Sequence, residues 1–114
     1  MPFSNFANIL NGWCIVIVDD DMVSSQVLRA TLRVTGAQMH VAYNARSGYD
    51  LVRMQHPNLI ITDIHMPKYS GCDMWHMIST DTSIPPTPMI VVSADDTLPK
   101  CGFDQRQKPL AHFV

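Results

Sequence analysis

Three runs of apolar residues in this chain each end in groups that can do chemistry. Trp13-Cys-Ile-Val-Ile-Val18 ends in Asp19-Asp20-Asp21, Asn58-Leu-Ile-Ile-Thr62 ends in Asp63, and Pro88-Met-Ile-Val-Val92 ends in Ser93. Continuous apolar runs of this length read as strands buried on both faces. Carboxylates gathered at strand tips repel one another, so their clustering calls for a cation. Oxygen ligands without a His or Cys pattern suggest Mg²⁺, which takes one or two carboxylates and keeps several waters. Mg²⁺ beside a strand-tip hydroxyl points to phosphate chemistry, with Lys108 as the candidate for the balancing positive charge.

Such a site needs elements that bring the tips together. After Asp21, the residues Val23, Val27, Leu28, Thr31 and Leu32 recur at helical spacing and predict one apolar stripe, with Gly36 as its stop. Met39 to Tyr43 reads as a short strand. Asn44 is placed to cap a helix running to about Gln55, with Ala45, Tyr49 and Val52 inward. Pro57 ends that helix and leads into the strand that closes on Asp63. Ser70-Gly71 opens a short helix to about Ser79, with Met74, Met77 and Ile78 inward. The loop from Asp81 to Pro88 holds three prolines and cannot be helical throughout. The resulting order, β-α-β-α-β-α-β, predicts a parallel sheet wound on both faces by right-handed crossovers. In such a sheet all the carboxyl ends lie on one edge, where open α/β sheets bind their ligands.

Composition narrows the classes. The chain has 114 residues, 46% of them hydrophobic and 16% charged, which fits one globular domain. A formal net charge of -2 without a basic cluster argues against nucleic-acid binding. No apolar run approaches the roughly 20 residues of a membrane span. Residues 1–12 are polar and mixed, lack the features of a secretory signal, and read as a lead-in with one helical turn near Phe6 to Leu10. Cys14, Cys72 and Cys101 are scattered and odd in number, as expected of reduced cytoplasmic thiols packed as small apolar residues.

Taken in order, Ile-Val-Ile-Val-Asp-Asp-Asp, Leu-Ile-Ile-Thr-Asp-Ile-His-Met-Pro, Ile-Val-Val-Ser-Ala and Gln-Lys-Pro resemble the four signatures of two-component response-regulator receiver domains. The resemblance runs from Trp13 to about Pro109. It implies a flavodoxin-like doubly wound fold for residues 13–114. It also implies that Asp63 is a phospho-acceptor, served by a histidine kinase or a phosphotransfer protein. Asp19, Asp20, Asp63 and the backbone carbonyl of His65 would hold Mg²⁺. Ser93, with Ala94 behind it, and Lys108 would contact the phosphoryl oxygens, and the His65 side chain would tune phosphate lifetime. A protein of this kind is a cytoplasmic switch and not an enzyme, beyond its own phosphorylation and dephosphorylation.

The tail departs from that pattern. Only Ala94 to Gln107 separates Ser93 from Lys108, and with Pro99 and Gly102 in it the fourth helix is expected to be reduced to a turn at most. A fifth strand is expected at about Asp104 to Gln107, polar for a buried position. The five residues after Pro109 are too few for a fifth helix, and the expectation is a receiver without an output domain. Apolar sheet surface left uncovered on that side predicts a homodimer or a domain-swapped assembly. Two other functions compete. Asp19-Asp20-Asp21-Met-Val also fits the DxDxV start of haloacid-dehalogenase-type phosphatases, with Asp19 as nucleophile. A degenerate receiver that serves only as an interaction module is the third reading.

Overall fold

The computed structural model describes residues 7–63, 66, 68–92 and the backbone of 111–113. The elements are β1 (Cys14–Val18), α1 (Met22–Leu32) with a following 3-10 turn (Arg33–Thr35), β2 (Gln38–Ala42), α2 (Ala45–Gln55), β3 (Leu59–Asp63), α3 (Gly71–Thr80), β4 (Met89–Val92) and β5 (Ala111–Phe113). They form one five-stranded sheet in the order β2-β1-β3-β4-β5, every pairing parallel. This is the doubly wound α/β architecture that the alternation predicted. Three α-helices are present among the described residues, and none corresponds to a fourth or fifth.

Alternation along each strand splits the core into two. Val16, Val18, Ile60 and Val91 face α2 and α3, where they pack with Val52, Met74, Trp75 and Ile78. Ile15, Ile17 and Ile61 face the other way, against Leu28 and Leu32 of α1 and Leu10 of the lead-in. Trp75, only 2% exposed, fills much of the first core, a place the sequence reading gave to Met74, Met77 and Ile78. The lead-in is docked by backbone bonds, Asn8 N to Val34 O at 2.9 Å and Leu10 N to Thr35 O at 2.8 Å. Gly36 takes the left-handed conformation (φ 80°) that ends the first helical segment, as expected.

Two caps fall where the sequence puts them. The Asn44 side chain accepts from Ser47 N, and Ser70 forms a reciprocal capping box with Asp73. Three expectations need correction. The α1 stripe is not one face: Leu28 and Leu32 turn inward, while Val23 and Val27 are 71% and 61% exposed. At 100° per residue these five positions spread over about half of the helix circumference, more than the arc that the sheet and Leu10 cover among the described residues. The described fifth strand is Ala111–Phe113, beyond Lys108, whereas the stretch 104–107 lies outside the described residues. Cys14 is a free thiol, but Cys72 is disulfide-bonded and so is not the reduced thiol expected.

A polar clasp with no local signal in the sequence joins α2 to the loop after α3. Asp81 accepts from Tyr49 Oη, from Ser83 N at 2.9 Å and from Ser83 Oγ at 2.6 Å, and Arg53 Nε lies 3.4 Å away. The Ser83 and Tyr49 hydroxyls, with that backbone N–H and Arg53, hold the Asp81 carboxyl down at about 2. A depressed carboxyl contributes stability above its ordinary value near 3.8 and loses it as pH falls through its folded value. The melting temperature is therefore expected to fall between pH 4 and 2 by more in the wild type than in Asp81→Asn, measured by circular dichroism.

At Gly48 α2 comes close to the tip of β1. A Cβ there would sit 2.7 Å from Val18 Cγ2 and 2.9 Å from Met74 Sδ. Gly48→Ala is expected to be destabilising. Overpacking costs roughly 1–3 kcal/mol, which outweighs the roughly 1 kcal/mol that alanine gains over glycine in a helix. A lowered urea midpoint at unchanged slope would register it.

Candidate phospho-acceptor site

The site forms because parallel strands end together. Val18 of β1 pairs with Thr62 of β3, and Asp63 pairs with Val92 of β4, so the residues after Val18 and Thr62 emerge side by side. Asp19 is held at the backbone by its N–H to Ala42 O at 3.0 Å. Its Oδ1 accepts from Asp21 N at 2.9 Å, which turns the chain toward α1. Asp21 serves as the N-cap, accepting from Val23 N at 3.0 Å and Ser24 Oγ at 2.8 Å. Those two bonds, that of Ser24 foremost, push the Asp21 carboxyl below its usual range.

Asp19, Asp20 and Asp63 each offer a carboxylate oxygen, and the three oxygens lie within 4.8 Å of one another. Asp19 and Asp63 are half-buried and Asp20 is exposed. Partial burial raises the Asp19 carboxyl above its usual value. The hydrogen bond from Asp21 N opposes this, while the charges of Asp63, Asp20 and Asp21 add to it. Crowded carboxylates that resist joint ionisation are the donor set a hard divalent cation relieves, so these residues fit Mg²⁺. Beneath them, buried Thr62 donates its hydroxyl to the Asp63 carbonyl at 2.8 Å and fixes the strand end.

The structure thus brings together Asp19, Asp20 and Asp63 of the residues singled out from sequence. His65, Ser93, Ala94 and Lys108 lie outside the described residues. Ser93 directly follows Val92, the residue paired with Asp63. Beside the carboxylates an open groove of about 370 Å³ runs between α1 and the sheet, lined by Ile17, Ile61, Val27, Leu28 and Val92 with Asp19 and Asp63 at one end.

A parallel five-stranded sheet carrying three clustered aspartates at its carboxyl edge is the architecture of a receiver domain. The family model of the response regulator receiver domain matches residues 15–102, and the chain belongs to that family. Among curated proteins, it is 28% identical over 80 residues to the polar-differentiation response regulator DivK of Brucella ovis, covering 70% of this chain and 65% of that protein. It is 26% identical over 84 residues to the probable transcriptional regulatory protein TcrX of Mycobacterium tuberculosis, covering 74% of this chain and 35% of that protein. The chain thus spans only part of the regulators it matches. The receiver domain of the histidine kinase CKI1 from Arabidopsis thaliana, solved with Mg²⁺ and BeF₃⁻, superposes with a TM-score of 0.80 at 20% identity, over 98% of this chain and 86% of that one. The N-terminal domain of a response regulator receiver protein from Methanoculleus marisnigri gives 0.78 at 20% identity, over 90% and 82%. At those identities the structural likeness speaks for the fold.

Proposed function

We propose that this chain is a Mg²⁺-dependent phospho-acceptor of a cytoplasmic phosphorelay, in which Asp63 takes a phosphoryl group from a histidine kinase or a phosphotransfer protein. The observation that carries this reading is the convergence of Asp19, Asp20 and Asp63 oxygens within 4.8 Å at the carboxyl edge of the sheet. In the transfer, an Asp63 carboxylate oxygen attacks phosphorus, the P–N bond of the donor phosphohistidine breaks, and the imidazole leaves with the electron pair. The product is an aspartyl phosphate. Asp19, Asp20, Asp63 and the backbone carbonyl of His65 are the groups that would hold Mg²⁺, which when bound neutralises charge on the phosphoryl oxygens. Ser93, Ala94 and Lys108 are assigned to contacts with the same oxygens, and the His65 side chain to phosphate lifetime. The protein acts as a switch, catalysing at most its own phosphorylation and dephosphorylation.

Val92, at the carboxyl end of β4, is 43% exposed beside the site, and we assign the chain a homodimeric or domain-swapped assembly that covers this edge. The test of the acceptor is to incubate with acetyl phosphate and Mg²⁺, then map the acid-stable label after borohydride reduction. Label on Asp63 supports the reading. Label on Asp19 would indicate a phosphatase of the haloacid-dehalogenase type, and absence of label a module that only binds partners.

A further inference from the structure

β2 is an outer strand of the sheet: β1 pairs with it on one side, and among the described residues no strand pairs on the other. The register says which backbone groups are left over. Gln38 N donates to Trp13 O at 2.8 Å, and Asp19 N donates to Ala42 O at 3.0 Å. Gln38, His40 and Ala42 therefore turn their backbone groups toward β1, and Met39 and Val41, alternating with them, present N–H and C=O to the open side. Sheet edges are commonly blunted by lysine, proline or a bulge. The run Gln-Met-His-Val-Ala, paired residue for residue with β1, has none of the three.

The two faces beside this edge differ in chemistry. On the α1 face, a cleft of about 530 Å³ opens next to Met39, walled by Gln26, Arg29 and Arg33, with Ala37 leaving room below them. Both arginines are exposed, neither makes an ion pair among the described residues, and no carboxylate lines the cleft. They lie four apart, the spacing at which like charges on a helical segment repel and one anion can serve both. On the α2 face, at the other end of the strand, Ala42, Leu51 and Met54 line a hollow of about 390 Å³. Asp50 at its rim is already engaged by Arg46 at 3.7 Å.

Paired strands put facing side chains on the same side of a sheet. Met39 faces α1 and Ala42 faces α2. A residue added opposite Met39 would point toward Arg29 and Arg33, and one added opposite Ala42, about 10 Å along, toward Leu51 and Met54. We propose that the β2 edge takes up an extended segment of another protein as an added strand, with an acidic side chain opposite Met39 and an apolar one opposite Ala42. The surface uses no residue of the acceptor site and stands apart from the reading of Asp63.

Fluorescence anisotropy at low salt tests it, with a short labelled peptide of alternating glutamate and valine. Half-saturation is expected below about 1 mM. The same peptide with lysine for glutamate, and one methylated on its backbone nitrogens, are each expected to bind at least about tenfold more weakly. Arg29→Glu combined with Arg33→Glu is expected to cause the same loss. Circular dichroism should show that variant folded, because both side chains are exposed. Val23→Asp, at a 71% exposed position of α1 outside the cleft, is expected to leave binding unchanged. Absence of saturation overturns the proposal, and so does a Kd unmoved by the arginine reversals. Undiminished binding of the methylated peptide overturns strand addition and makes the cleft a site for anions in general. A dimer of the chain that the peptide dissociates, seen by sedimentation, overturns an outside partner in favour of a second copy on this edge.

Discussion

Asp63→Asn is expected to leave the chain folded and to abolish acyl-phosphate labelling completely. The side chain closes β3 at a half-buried position, so an amide of the same shape leaves the strand pairing with β4 untouched. What it removes is the nucleophilic carboxylate oxygen, which no neighbouring group can replace in the same line of attack. Mass spectrometry after acetyl phosphate should show the modified species in the wild type and none in the variant, with the thermal melt unchanged or raised. The raised melt follows from charge: one of three mutually repelling carboxylates is gone. Residual label at Asp19 in the variant would reassign the nucleophile.

Asp19→Asn is expected to separate stability from function. The raised Asp19 carboxyl is ionised in the folded chain at a cost, which burial sets first and the charges of Asp63, Asp20 and Asp21 add to. A group whose folded value is raised destabilises the fold above that value and ceases to do so once protonated, so the metal-free wild type should gain on the variant's stability as pH falls from 7 toward 4. At pH 7 without metal the Asn variant should melt higher. The Asn oxygen can still accept from Asp21 N, so the turn into α1 survives. Affinity for Mg²⁺ should fall, by at least the roughly 10–100-fold typical when a supporting group of a metal site is lost. Calorimetric titration with MgCl₂ at pH 7, and melts taken from pH 7 down to the ordinary carboxyl value of 3.8, measure the two effects separately.

Much of this was legible in the chain itself. The strands were readable because β1, β3 and β4 are unbroken apolar or β-branched runs, and their ends were marked by Asp19, Asp63 and Ser93. Asn44 and Ser70 were readable as caps because capping is a local hydrogen bond that needs no tertiary information. What was not legible depends on contacts distant in sequence. Periodicity could not decide that Leu28 and Leu32 would be covered and Val23 and Val27 left out, since that depends on how many helices share the sheet face. The Tyr49–Asp81 clasp joins residues 32 apart and carries no local signal. Trp75 in the core was overlooked because a helix rich in methionine offers several equally good inward faces. The fifth strand was sought before Lys108, where the family pattern places it. The pairing of Ala111–Phe113 with β4 follows from register, which the polar sequence around it does not specify.

The contact at Gly48 sets a tolerance on the whole acceptor site. Val18 immediately precedes Asp19 and lies so close to Gly48 that not even a methyl group fits between them and Met74. The tip of β1 therefore has no free play toward α2 and α3, and Asp19 is fixed further by its backbone bond to Ala42. Adjustment of the acidic cluster to a cation of a given radius then starts from a set point on Asp19. Asp19 behaves as the fixed jaw of the site, against which exposed Asp20 can close.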